Sequence, residues 1–161
     1  MEQKNINFAL AGIRELSFLY TDPLQNNLNF QPEINTVEGK FDINYRWNLE
    51  KNSFGVVMDI SYLINKPDGT SNENLRLTVL YEFMVENLKD IFIVRTNQDF
   101  DIDQTLEITF VSIAISTTRG ILFEKSKGTY FSNFPFPLLN PAEHILSKKL
   151  KENKQTNKIG S

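Results

Sequence analysis

The sequence predicts an α+β fold: a four-stranded antiparallel sheet packed with one long and one short C-terminal helix. Two observations predict it. Three consecutive stretches between residues 37 and 85 alternate apolar and polar side chains, the period of a half-buried strand. Beyond residue 100 the alternation gives way to helical spacing.

The first element, residues 8 to 20, alternates loosely. Leu10, Leu16, Phe18 and Tyr20 fall on one face, and Ile13, Glu15, Ser17 and Leu19 on the other. It reads as a strand with one imperfect face. Thr21 to Gln31 is an Asn-rich loop bounded by Pro23 and Pro32. Three cleaner strands follow. Val37, Gly39, Phe41, Ile43, Tyr45, Trp47 and Leu49 share one face of the first. Phe54, Val56, Met58, Ile60, Tyr62 and Ile64 share one face of the second. Leu75, Leu77, Val79, Tyr81, Phe83 and Val85 share one face of the third. The connections at residues 50–53 and 65–74, the latter with Pro67-Asp68-Gly69, read as hairpin turns, so the three form a meander. Asp101 or Asp103 can cap a helix that carries Ile102, Leu106, Phe110, Ile113 and Ile121 at helical spacing. Strand is the competing reading, because β-branched residues are mediocre helix formers. Pro141 opens a short amphipathic helix predicted to reach Lys151. Residues 1–151 thus read as one domain, and 152–161 as a polar tail predicted to be disordered.

Between the helices, residues 127–140 combine Tyr130, Phe131, Phe134 and Phe136 with Pro135 and Pro137. The prolines remove backbone donors and keep the preceding residues from helical geometry. Such a segment either plugs a core or offers an apolar surface to a partner.

Composition narrows function by exclusion. A net charge of −3 argues against a general nucleic-acid grip. The absence of cysteine excludes thiolate catalysis, disulfides and cysteine metal sites, and fits a reducing compartment. His144 is the one histidine and has no HExxH spacing around it. Asp99, Asp101 and Asp103 lack the glycine and distal glutamate of a calcium loop. The glycines are scattered and form no phosphate loop. No catalytic residue, metal or cofactor is expected. The N-terminus has no apolar leader core, and no uninterrupted run of about 18 apolar residues predicts membrane insertion. A cytoplasmic protein that is not an enzyme is the resulting expectation.

Three local sequences resemble SecB and the SecB-like export chaperones. Phe30-Gln31-Pro32-Glu33-Ile34 is similar to the segment ending that family's crossover loop after its first strand. Lys127-Gly128-Thr129-Tyr130 is similar to its basic-Gly-Thr-aromatic turn after the long helix. Pro137-Leu138-Leu139-Asn140-Pro141 is similar to the stretch before its last helix. The resemblance spans about residues 6 to 148. It departs at Ser116-Thr117-Thr118-Arg119-Gly120, where the family has a Pro-Tyr pair.

The resemblance implies a homotetramer, a dimer of dimers, that holds unfolded polypeptides without ATP. The client-binding candidates are Phe30, Ile34, Tyr130, Phe131, Phe134 and Phe136. It also implies docking to the SecA motor on the outer sheet face, through Glu15, Leu80 and Glu82. A second acid expected on strand one is replaced by Leu19. That loss favours an alternative, a dedicated chaperone of a toxin–antitoxin pair with an antitoxin as its partner. A further alternative is a small-molecule or lipid carrier that uses the sheet–helix interface as a pocket.

Overall fold

A computed structural model describes residues 6–26, 31–32, 34–95, 100–134, 136 and 139–147. Four long strands dominate it: β1 (Phe8–Tyr20), β2 (Thr36–Asn48), β3 (Ser53–Asn65) and β4 (Ser71–Val85). They form one antiparallel sheet in the order β1-β4-β3-β2. The α+β architecture is the one the alternation predicts. The β2–β3–β4 meander keeps an unbroken register from Thr36↔Asn65 to Asn48↔Ser53 on its outer side. Its turns are chemical ones. Asn52 and Gly69 take positive φ at the two hairpins, and Asp68 accepts from the Thr70 amide and hydroxyl. The second turn is tighter than the 65–74 loop of the sequence reading, because pairing continues to Asn65↔Ser71.

β1 returns to pair with β4 across a crossover that includes the helical turn α1 (Pro23–Asn26), capped by Asp22. Two bulges interrupt the pairing, one between Leu10 and Gly12 and one between Glu15 and Ser17. Each adds a residue without a partner and moves the following side chain to the other face. In register with the buried residues of β4 are therefore Phe8, Leu10, Ile13, Glu15, Phe18 and Tyr20. The two-face reading of the sequence is corrected on that account: Ile13 and Glu15 face the helices, and Leu16 sits at a bulge.

The longest helix packs on this face. α3 (Gln104–Ser126) starts at Asp103, whose carboxylate accepts from the Leu106 amide at 3.0 Å. Leu106, Phe110, Val111, Ala114, Ile115, Thr118 and Leu122 are its buried side. Phe110 stacks on Phe83 of β4 at 4.2 Å. Tyr81 donates to Thr118, at 2.6 Å, and Thr118 donates in turn to the Ala114 carbonyl. That chain of bonds allows a polar residue in the middle of the apolar stripe. By length and composition α3 could also cross a membrane, but its buried stripe packs on the sheet as a core helix does.

A short helix α2 (Leu88–Ile91) leads into a two-stranded ribbon, β5 (Phe92–Val94) and β6 (Phe100–Ile102). The sequence reading has no counterpart for it, and Ile102 belongs to β6 rather than to the helix. The ribbon closes one end of the core, where Phe92 and Phe100 stack at 5.1 Å and meet Trp47, Tyr45 and Phe54. The last helix, α4, occupies residues 141–147, with Ile145 buried. Its predicted continuation to Lys151, and the tail, lie outside the described residues.

Candidate functional site

The aromatic segment crosses the opposite end of the sheet as a strap. Tyr20, Leu75, Tyr62 and Gly39 form one row across the four strands. Above that row the chain leaves α3 through Gly128, at φ 70°, which suits the left-handed turn there. Thr129 then caps a 3-10 turn at Tyr130–Asn133 by accepting from the Phe131 amide. Phe131 drops between Tyr62, stacked at 5.4 Å, and Tyr20, edge-on at 6.3 Å. Gly39 makes room for this stack: a Cβ there would lie 3.0 Å from the Tyr62 ring. Tyr62 donates from its hydroxyl to the Phe134 carbonyl at 2.7 Å, which anchors the strap's far end. Burial pushes the Tyr62 hydroxyl up to about 12, so this donor keeps its proton across the whole neutral range.

The strap then turns outward. Phe136 lies edge-on to Phe41 of β2 at 5.9 Å, and the Arg119 guanidinium sits over its ring, 5.9 Å from the centre. His144 of α4 meets Phe41 at 5.2 Å.

The six client candidates therefore separate. Phe131 is fully buried and is corrected to a core residue; its ring fills the hole between two tyrosines. Tyr130, Phe134 and Phe136 are half-buried, each with one side on the core. Ile34 is exposed just ahead of β2. Phe30 lies outside the described residues. The half-buried rings of Tyr130, Phe134 and Phe136 form an apolar rim, with Phe41 as a member that the sequence reading assigned only to the strand's core face. Proximity of Phe41 to Phe136 could not be read from periodicity, because it depends on the path of the strap.

The docking trio separates more sharply. Leu80 and Glu82 are on the outer face, where Leu80 is buried and Glu82 pairs with Arg14 at 3.6 Å. Glu15 is on the helix face and pairs with Lys125 of α3 at 2.8 Å. The same ammonium sits 4.4 Å from the centre of the Phe18 ring. The bulges of β1 cause the separation, so the three residues do not form one acidic surface.

No group of three or more potential metal ligands occurs among the described residues. The sheet–helix interface is filled by Phe54, Tyr81, Phe83 and Phe110, all fully buried.

No family model matches the chain, and no curated protein matches it. Among solved structures it is similar to the Mycobacterium tuberculosis SecB-like chaperone Rv1957, solved in complex with a ChAD peptide from the HigA1 antitoxin. The identity is 11% and the TM-score 0.49, over 82% of this chain and 90% of that one. At that level the likeness concerns general architecture, and the functional reading rests on this chain's own residues.

Proposed function

We propose that this protein is an ATP-independent holdase that binds unfolded or export-bound polypeptides and assembles as a homotetramer in the cytoplasm. The observation that carries the reading is the apolar rim of Phe41, Tyr130, Phe134 and Phe136, anchored beneath by Phe131 and the Tyr62 hydroxyl, with Ile34 exposed just ahead of β2. The rim is preformed and apolar. Burial of apolar area at about 25 cal/mol per Å² gives affinity without sequence readout. The aromatic rings give flat contacts of low entropic cost. The single arginine over Phe136 adds little directionality, as suits a site for many extended segments.

The test is suppression of aggregation. At a one-to-one ratio the protein should delay light scattering by a chemically unfolded model client, with no nucleotide present. Ile34→Asp and Phe136→Asp should shorten the delay several-fold while leaving the circular dichroism unchanged. No delay at stoichiometric protein would end the holdase reading.

The toxin–antitoxin reading has its own support. Glu15 is engaged with Lys125, and Leu19 stands where an acid is expected, so the outer face has fewer acids for a basic motor. Delivery to SecA then depends on Leu80 and Glu82 alone, whereas a dedicated client such as an antitoxin peptide needs only the rim. Titration against SecA and against a panel of apolar peptides separates the two. The packed sheet–helix interface counts against a carrier of small molecules or lipids.

A further inference from the structure

Charge is divided unevenly along this chain. Residues 148–161, which follow the last described residue, hold five lysines and one glutamate. The residues before them hold the other 12 cations and 19 acids, so a body of net −7 carries a tail of net +4. The body has a recess of about 390 Å³ where β4 ends, at the opposite end of the sheet from the strap. Ala9 and Met84, paired across β1 and β4, give it apolar lining on the face opposite the buried Phe83 and Val85, and Met84 is 45% exposed. Asn7, Asn52 and Glu86 supply the polar part of the lining. The Glu86 amide donates to the Asn7 carbonyl and the Val85 amide to the Asn52 carbonyl, both at 2.9 Å, which fixes these walls. Asn7 donates from Nδ2 to Glu86 Oε2 at 2.9 Å, and among the described residues no lysine or arginine pairs with that carboxylate.

We propose that this recess holds Lys158 and Ile159 of the chain's own tail, the ammonium on Glu86 and the aliphatic side chain against Met84. Chemistry and reach select that pair. The recess joins one carboxylate to apolar surface, so its ligand is a cation beside an apolar group. The tail offers this at Leu150-Lys151 and at Lys158-Ile159. Reach decides between them. His144 of α4 meets Phe41, and Phe41 shares a row with Ile60 and Leu77. Met84 lies seven residues further along β4 and two strands over from Phe41, about 25 Å away at roughly 3.3 Å per residue and 4.8 Å per strand. Passing round the sheet edge from the helix face to the outer face adds about 10 Å, the spacing of packed layers. Lys151, four residues past Ser147, reaches about 13 Å, whereas Lys158, eleven past it, reaches about 36 Å before its own side chain is added. An exposed ion pair alone is weak, but a tethered partner is present at an effective concentration of about millimolar. A tail docked in this way crosses the outer face of the sheet and competes there with any basic partner. The inference stands apart from the holdase reading, because its test needs no client.

The chain has no cysteine and three methionines, Met1, Met58 and Met84, of which Met58 is fully buried. A nitroxide on Ser161→Cys and carbon-13 methionine methyls therefore read the contact in the full chain. With the nitroxide active, the Met84 methyl signal should lose at least three times the fraction of intensity that Met58 loses. Lys158→Gln, Glu86→Gln or salt raised to about 0.5 M should each at least halve the Met84 loss, and Lys149→Gln should leave it. Equal loss at the two methyls, no loss, or a loss that Glu86→Gln leaves intact would overturn the proposal. A mixture of isotope-labelled chains without the nitroxide and nitroxide chains without the isotope should show no Met84 loss. A loss there would assign the contact to the tail of a second copy and overturn the proposal as well.

Discussion

Replacing Phe131 by alanine separates a core plug from a client contact. The ring is fully buried, stacked on Tyr62 at 5.4 Å and edge-on to Tyr20. Large-to-small changes of a buried phenylalanine cost about 3–5 kcal/mol, and the strap cannot collapse freely because the Phe134 carbonyl is held by Tyr62. A loss of that size is a large part of a total stability of about 5–15 kcal/mol. For a chain of this length it lowers the melting temperature by about 6–20 °C. The assay is thermal unfolding followed by circular dichroism, with urea unfolding to convert midpoints into free energies. Ile34→Ala is the comparison, an exposed site where about 0.5 kcal/mol or less is expected. If Phe131→Ala unfolds within 1 kcal/mol of the natural protein yet loses client affinity, the assignment of Phe131 to the core is wrong, and with it the account of how the strap is anchored.

Other consequences follow from single contacts. Tyr81→Phe removes the 2.6 Å bond to Thr118 and should cost about 0.5–1.5 kcal/mol, read from the urea midpoint. Gly39→Ala places a methyl 3.0 Å from the Tyr62 ring and should destabilise by about 1–3 kcal/mol; an unchanged midpoint would mean that the ring shifts without cost. Lys125→Met removes a pair that is partly exposed on both sides, so its effect should stay below about 1 kcal/mol and shrink further at high salt. Tyr62 and Tyr81 are both pushed up by burial to about 12, Tyr81 against the opposing bond to Thr118. The folded state therefore favours the neutral phenols. Their contribution is complete below about pH 10, where the unfolded tyrosines also keep their protons, and is lost as pH rises from about 10 to 12. Urea midpoints should fall between pH 8 and pH 11, and less so in Tyr81→Phe; equal midpoints would refute the burial argument.

Much of this fold was legible. β2, β3 and β4 lie within a few residues of where their alternation puts them, because one face of each is buried and a slip of one residue would invert it. The start of α3 was legible as one of two capping aspartates, Asp101 or Asp103, and Asp103 is the one that caps it. The face of β1 was not legible, since bulges after Leu10 and Glu15 break a strict period of two and leave no composition of their own. That is why Glu15 is on the side of Lys125 rather than beside Glu82. The β5–β6 ribbon escaped for a different reason, because strands of three residues are too short to show a period. In the strap, sequence identified an unusual apolar segment but could not divide its rings. Phe131 and Phe136 are alike in composition and differ only in what lies beneath them, a tyrosine stack for one and the side of Phe41 for the other.

The most direct test of the central claim is the light-scattering mass of the purified protein with and without an unfolded client. A holdase built as described should run near four times 18.6 kDa and gain the mass of the client when the two are mixed. A single-copy mass that is unchanged by the client would contradict both the assembly and the chaperone activity.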